Sequence, residues 1–353
     1  MNRWPLVRLA ACAVAMTLGR TAAVQAAAVT TITATGSTLM YPLLNTWAQR
    51  YHGVSPDVRV TVSATGSGAG IKRAIAGDVA IGASDAYMTD EQMRANPGML
   101  NIPLAISSQL VAYNLPELHG ALKLDGPTLA GIYTGTIQSW DDPAIAAMNA
   151  GVHLPHRAIV SIHRNDSSGD SFIFSQYLTF STDSWEDGPS FGTDVAWPAV
   201  SGAKGATGND GMVKALAATP GGIAYVGSSF AGALTASRLG TAMLKNQAGN
   251  FVSPNPTTVQ VAAAALSGRT PKDERLSLVF APGAQAYPLV NYEYAVVAAK
   301  QPDPARAAAL RAFLLWTIGE GQANEQALLS PLHFATLPED VRALSDAQIR
   351  QIN

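Results

Sequence analysis

The sequence predicts an α/β protein in which open sheets are flanked by helices and the loops at the carboxyl ends of the strands form a binding crevice. The main sign is a repeated unit of short strand, small-polar turn and helix, with hydroxyls and glycine in every turn. The second is length: 353 residues exceed one small domain and point to two. Composition agrees, because 48% apolar and 14% charged residues with 31 glycines and 21 prolines describe a packed chain rich in tight turns. A formal charge of −2 lacks the basic stripe that a nucleic-acid binder needs, so no nucleic-acid partner is expected.

The N-terminus reads as a processing signal. Arg3 and Arg8 stand at the head of the apolar run Leu9 to Leu18, small residues follow, and Val24-Gln25-Ala26 offers an A-x-A-like cleavage site. Residues 1–26 are therefore assigned to a signal peptide; the apolar run is too short to span a bilayer. Cys12, the only cysteine, falls within it. Leu9-Ala10-Ala11-Cys12 has the look of a lipoprotein box but comes too early for a full apolar region, so lipid anchoring is disfavoured. An exported product without cysteine belongs in the periplasm.

From Thr30 to Ala34 the chain is short and β-branched, and Leu39, Leu43, Trp47 and Tyr51 then recur as one helical stripe. Thr35-Gly36-Ser37-Thr38 is the turn between them. Val58 to Ser63 alternates as a half-buried strand and runs through the glycine turn 64–70 into a helix at Ile71 to Ile75. Val79 to Ala83 is a third strand, ending in Ser84-Asp85. Gln109 to Asn114 reads as a crossing into a second lobe. That lobe holds a helix near Thr128 to Tyr133, the strand Ala158 to His163, the loop Arg164 to Ser171 and a helix from Phe172 to Phe180. Gly208-Asn209-Asp210-Gly211 opens another helix, and Gly222 to Val226 is a strand; the stretch 240–281 carries no clear pattern. Pro288 to Ala298 crosses back, and Arg306 to Ile318 is a helix with Leu310, Phe313, Leu314 and Trp316 on its buried side. One lobe thus takes residues 27–112 and 290–353, the other residues 113–289.

Several motifs fail on inspection. In the glycine turn Lys72 is followed by Arg73, not Ser or Thr, which excludes a P-loop, and Ile71 occupies the last glycine position of a dinucleotide fingerprint. Ser201-Gly202-Ala203-Lys204 has the S-x-x-K spacing without its companion elements. The six histidines make no metal pattern. What remains is the loop Arg164-Asn165-Asp166-Ser167-Ser168-Gly169-Asp170-Ser171, at a strand-to-helix junction. A helix start offers unpaired N–H groups and the positive end of the dipole. Ser168, Gly169 and Asp170 suit helix capping equally well. Capping leaves Arg164 and Asp166 unexplained, whereas a guanidinium fork steadied by a carboxylate is suited to an oxyanion.

Six segments in order, Thr35 to Leu39, Gly66 to Gly68, Gly82 to Ala86, Ser139 to Asp142, Arg164 to Asp170 and Gly208 to Gly211, resemble those of the periplasmic phosphate-binding proteins of ABC-type uptake systems. Asn291-Tyr292-Glu293-Tyr294 and the Ser-Gly-Asp ending of the central loop look most like the mycobacterial phosphate-binding lipoproteins. The resemblance implies a two-lobed periplasmic-binding-protein fold with two hinge crossings, and a monomer that binds inorganic phosphate and hands it to permease subunits in the inner membrane without catalysis, metal or cofactor. It implies that Thr38, Leu39 and Ser67 donate from one lobe while Asp85 accepts the ligand's proton. From the other lobe Arg164 binds, steadied by Asp166, and Ser168, Gly169 and Asp170 complete the shell. Leu39 replaces a phenylalanine and Asp170 a threonine common in that family. Two carboxylates facing one anion each need a proton to share, or one rises in pKa and donates. Binding is therefore expected to hold or strengthen from about pH 8 to about pH 6. Another oxyanion, or a phosphoesterase using the same pocket, are the alternatives; the latter needs a nucleophile or activated water that the sequence does not display.

Overall fold

The computed structural model describes Met1 and residues 29–319 and 322–353. The signal-peptide assignment, Met1 apart, lies outside the described residues. The strands described are β1 Thr30–Gly36, β2 Val58–Ala64, β3 Ile81–Ser84, β4 Met99–Tyr113, β5 Lys123–Leu124, β6 Val160–Arg164, β7 Lys204–Ala206, β8 Gly222–Gly227, β9 Gly240–Thr241, β10 Met243–Lys245, β11 Phe251–Val252 and β12 Val290–Ala298. One large sheet runs in the order β2-β1-β3-β12-β4-β8-β6-β7, with β9 also on β4; β11, β10 and β5 form a small second sheet. β1 is parallel to β2 and β3, and β6 is parallel to β7 and β8. Each of these parallel sets is flanked by helices, as crossover connections require.

β4 is the member common to both halves of the sheet. Over Met99–Ser108 it pairs with β12, and over Gln109–Tyr113 it pairs with β8. The expected strand at Gln109 is only its last third. Asn101, Pro103, Ser107 and Ser108 break the apolar pattern upstream, yet all fifteen residues are buried. Burial is tolerated because the polar groups are engaged: Asn101 Oδ1 accepts from Met88 N at 2.8 Å, and Ser228 Oγ accepts from Ser108 N at 3.4 Å. Pro103 sits where the β4–β12 register shifts between Glu293 and Tyr294, a bulge being one of the few strand positions that spare proline's missing donor.

The helices begin earlier than apolar periodicity indicates, because their first turns are small and polar. Helix Gly169–Ser181 starts three residues ahead of Phe172 and is capped by Ser168, whose Oγ accepts from Ser171 N at 3.3 Å. Helix Ser67–Ile75 likewise opens in the glycine turn. Helix Tyr41–Val54 buries Leu43, Trp47 and Tyr51, with Leu39 just ahead of it. In helix Pro304–Ile318 Leu310, Phe313 and Leu314 are buried, but Trp316 is half-buried, stacked on Phe313 and tilted against Tyr51. The patternless stretch 240–281 contains β9 to β11 and helix Pro256–Leu266, pieces too short to show a period. No helix among the described residues is long and apolar enough to cross a membrane.

Packing of the second half bears directly on the site. Tyr133, Phe174, Trp197 and Tyr225 form an aromatic stack, with Phe174 and Tyr225 at 4.6 Å between ring centres. Such contacts add about 0.5–1.5 kcal/mol per pair beyond the area they bury. They also deliver the Tyr225 hydroxyl to the end of β6, where it accepts from Arg164 N at 2.9 Å.

Candidate functional site

The candidate residues cluster at or just past the carboxyl ends of strands. β1, β2 and β3 are parallel and end at Gly36, Ala64 and Ser84, so the loops at Ser37, Gly66 and Asp85 emerge together. Ser37 Oγ accepts from Met40 N at 2.9 Å, steadying the helix entry, and its hydroxyl donates to Asp85 Oδ1. The Ser67 hydroxyl donates to Asp85 Oδ2 at 3.2 Å, while Asp85 N donates back to Ser67 Oγ at 3.2 Å. Asn291 Nδ2 on β12 donates to the Asp85 carbonyl. Asp85 is thereby held on three sides and is 1% exposed.

From the other half, β6 ends in Arg164 and β7 leads to Gly208 and Asn209. Arg164 Nε donates to Asp166 Oδ1 at 2.6 Å, and Nη2 donates to Asp166 Oδ2. Its Nη1 donates to Asp170 Oδ2 at 2.6 Å and reaches Thr38 Oγ1 at 3.4 Å. Burial works against ionisation of Arg164, but the hydrogen bond to Asp166 and the charges of Asp170 and Asp166 outweigh it and raise its pKa. Asp166 is likewise opposed by burial, yet the Arg164 contact holds its pKa below the ordinary range. Asp170 behaves differently. Burial, then the charge of Asp85, push it up to about 6 against the pull of Arg164, Gln109 and Asn209.

The two halves meet here. Thr38 Oγ1 accepts from Asn209 N at 3.2 Å and from Asn209 Nδ2 at 2.9 Å, and Gly68 N donates to the Ser167 carbonyl at 3.2 Å. Gly169 lies against both Ser67 and Asp85, so closely that a Cβ there would stand 2.5 Å from Asp85 Oδ2 and from Ser67 Oγ. Four helix entries, at Met40, Ser67, Gly169 and Gly208, therefore converge on one point, and their first N–H groups have no partner within their own helices. Thr38, Ser67, Asp85, Arg164, Gly169 and Asp170 are in this cluster, with Asp166 behind Arg164. Ser168 is its capping neighbour. Leu39 is fully buried against Gly227, and its carbonyl accepts from Ser229 Oγ at 2.8 Å.

Asn209, Gln109 and Glu293 join the cluster without having been singled out. Asn209 Nδ2 donates to Asp170 Oδ2 at 2.7 Å, and its Oδ1 accepts from Gly227 N at 2.8 Å. Gln109 Nε2 donates to the Asp170 carbonyl at 2.8 Å and to its Oδ1 at 3.2 Å. The available signal was polar residues inside otherwise apolar strands, Gln109 after Ser107-Ser108 and Glu293 after Asn291, and an asparagine directly after a glycine at a helix start. Among the described residues no group of three or more His, Cys, Asp or Glu is arranged to hold a metal ion.

Comparison with known proteins bears on what this cluster is. The profile of the PBP superfamily domain matches residues 21–320. The phosphate-binding protein PstS of Xylella fastidiosa (strain 9a5c) is 31% identical over 313 residues, spanning 88% of this chain and 82% of that one. The chain belongs to the PstS phosphate-binding proteins of the PBP superfamily. Another PstS relative, the phosphate-binding protein PstS 3 of Mycobacterium leprae (strain TN), is 35% identical over 307 residues, spanning 83% of this chain and 80% of that one. The phosphate-binding protein of Stenotrophomonas maltophilia superposes with a TM-score of 0.67 at 20% identity, over 90% of this chain and 93% of that one. A high-affinity periplasmic phosphate-binding protein (PfluDING) bound with phosphate superposes at 0.70 and 22% identity, over 90% and 93%. These superpositions show the two-lobed fold of periplasmic phosphate-binding proteins.

Proposed function

We propose that this protein binds inorganic phosphate between its lobes, in the periplasm, and delivers it as a monomer to the permease subunits of an ABC-type importer. Membership of the PstS family supports this reading. The observation that carries it is an acceptor, Asp85, set among donors, with Asp170 as a second carboxylate beside it on Arg164. Asp85 meets the helix entries at Ser67 and Gly169, and Arg164 and Thr38 stand beside them. Convergent N–H groups and one guanidinium suit an oxyanion. An acceptor among them suits an oxyanion that still carries a proton. Phosphate does at neutral pH and sulfate does not, so sulfate would bring lone pairs against a carboxylate.

In this reading Thr38, Leu39 and Ser67 act from one lobe, and Arg164, Ser168, Gly169 and Asp170 from the other, with Asp166 fixing the guanidinium. Residues 27–112 and 290–353 form one lobe and 113–289 the other, with β4 and the approach to β12 as crossings. The Arg164 fork is already engaged by Asp166 on one edge and by Asp170 at Nη1. Protonation of Asp170 loosens its hold on Nη1 and turns it into a donor. The ligand then gains both the Nη1 donor and a neutral hydroxyl.

A panel of oxyanions in a thermal-shift assay tests the assignment. A ligand that binds only the folded state at about a hundred times its Kd stabilises it by about 2.7 kcal/mol. Phosphate is expected to raise Tm and sulfate to leave it unchanged. Equal shifts with both would replace the phosphate reading with a general oxyanion one. Arg164→Ala is expected to weaken phosphate binding by about 2–5 kcal/mol, the usual loss on truncating one partner of a buried charge pair.

A further inference from the structure

Glu293 is fully buried on β12, two residues after Asn291. Residues i and i+2 of a strand point to one face, and both serve Asp85 from behind. Asn291 Nδ2 donates to the Asp85 carbonyl, and the Glu293 carboxyl faces the Asp85 carboxyl. Glu293 Oε1 accepts from the Ser107 hydroxyl on β4, whereas Oε2 is buried with no hydrogen-bond partner among the described residues. The β4–β12 register shifts directly after Glu293, and bulges of this kind re-aim a side chain beside a functional site. A glutamate is among the residues least often fully buried without a cation partner.

The ionisable groups that face Glu293 are Asp85, which follows β3, and Asp170, on helix Gly169–Ser181; Ser107, on β4, supplies a hydroxyl. Arg164, the cation of the cluster, is engaged by Asp166 and Asp170. Two ionised carboxylates face to face in the interior repel, and Oε2 of Glu293 is left without a donor, whereas both Asp85 oxygens already accept hydroxyls from Ser37 and Ser67. One proton between them removes both costs. Both Asp85 oxygens already have hydroxyl donors while Glu293 has one at Oε1 alone, so the proton belongs on Glu293; burial, then the charge of Asp85, raise the pKa of Glu293 in the same sense, well above the ordinary carboxylate range.

We propose that Glu293 is a neutral carboxylic acid that donates from Oε2 to the Asp85 carboxylate, and so is the positioning residue that keeps Asp85 an acceptor aimed at the proton of the bound anion. Ser107 completes the relay by donating to Oε1. Specificity for a protonated oxyanion then depends on a residue that does not touch the ligand. With the Glu293 donor removed, Asp85 keeps its Ser37, Ser67 and Asn291 contacts but loses the donor behind it, and its preference for a protonated anion weakens.

The inference rests on the phosphate reading for its consequence, but the position of the proton can be read without any ligand. Infrared difference spectra of ligand-free native protein against Glu293→Gln at pH 8 are expected to show the carbonyl stretch of a protonated carboxylic acid in the native protein, lost in the variant. Glu293→Gln keeps a neutral donor and is expected to retain phosphate affinity and sulfate exclusion. Glu293→Leu is expected to lose about tenfold or more in phosphate affinity by calorimetry and to narrow the phosphate-to-sulfate ratio, as a missing buried hydrogen bond should. No difference band at residue 293 would overturn the proposal, as would a folded Glu293→Leu protein with native affinity and selectivity. If Glu293→Leu does not fold, the band and the Glu293→Gln titration decide. Should the native protein show the band and yet bind no phosphate, it is the phosphate reading that falls.

Discussion

Arg164 and Asp170 form an ion pair in which both side chains are 1% exposed, and only one of the two has its charged form favoured by its surroundings. Burial and the neighbouring Asp85 push Asp170 up to about 6. At pH 8 it is ionised and holds Arg164 Nη1; near pH 6 half of it carries a proton and can donate to an anion. Phosphate affinity is therefore expected to rise as pH falls from about 8 to about 6, by up to the factor of ten that one pKa unit represents. Asp170→Thr supplies a neutral hydroxyl at every pH and is expected to flatten the profile. Calorimetry at three pH values on both proteins checks this, and parallel profiles would remove Asp170 from the ligand's surroundings. The same residue shows how far sequence reading reaches. A carboxylate at a helix start signals capping or an anion site with equal force; its proximity to Asp85, eighty-five positions earlier in the chain, is what tips its chemistry.

At the level of elements, helix Glu339–Ile349 is fastened to the rest of the fold by a second buried glutamate. Glu274 is fully buried, Ser345 Oγ donates to its Oε1 at 2.8 Å, and Gln348 Nε2 donates to its Oε2 at 2.5 Å. Burial raises its pKa to about 8 in the folded protein, against about 4.3 for an unperturbed glutamate. The folded state thus binds this proton more tightly than the unfolded state. The stabilisation is complete below the unfolded pKa and is lost as pH rises towards 8. Native Tm is expected to decline between pH 6 and 9, and Glu274→Gln, which cannot ionise, is expected to decline less. Identical Tm profiles would show that Glu274 does not titrate with folding. Elements of this kind were hard to read in advance. β4 reads as a short strand because its first two-thirds mix Asn101, Pro103 and two serines into an apolar run, and only partners such as Met88, Ser228 and Glu293 make that run a buried one.

For the molecule as a whole, the site is covered on all sides: Ser67, Asp85, Arg164, Ser168, Asp170 and Asn209 are each at most 2% exposed. A ligand can reach them only if the lobes part, so binding and closure are coupled through whichever state the anion stabilises. Small-angle scattering is expected to show a smaller radius of gyration with phosphate than without. Gly169→Ala inserts a methyl group 2.5 Å from Asp85 Oδ2 and Ser67 Oγ, which burdens the closed state alone. Overpacking of this order costs about 1–3 kcal/mol. The variant is expected to keep its Tm without ligand, to bind phosphate more weakly and to compact less. An unchanged radius on adding phosphate to the native protein would refute coupled closure.

The sequence by itself determined the succession of strand, polar turn and helix, and its resemblance to the phosphate-binding proteins supplied most of the candidate residues. Strand, polar turn and helix follow from local periodicity and capping chemistry, and a loop such as Arg164 to Ser171 carries its chemical types within eight neighbouring positions. Tertiary structure alone decided how those types combine. The parallel strands bring Ser37, Ser67 and Asp85 to one edge, β12 places Glu293 behind Asp85, and Asn209 bridges Thr38 and Asp170. These contacts join positions tens to hundreds of residues apart. The burial that sets their protonation is a property of the closed fold, and no local pattern in the chain encodes it.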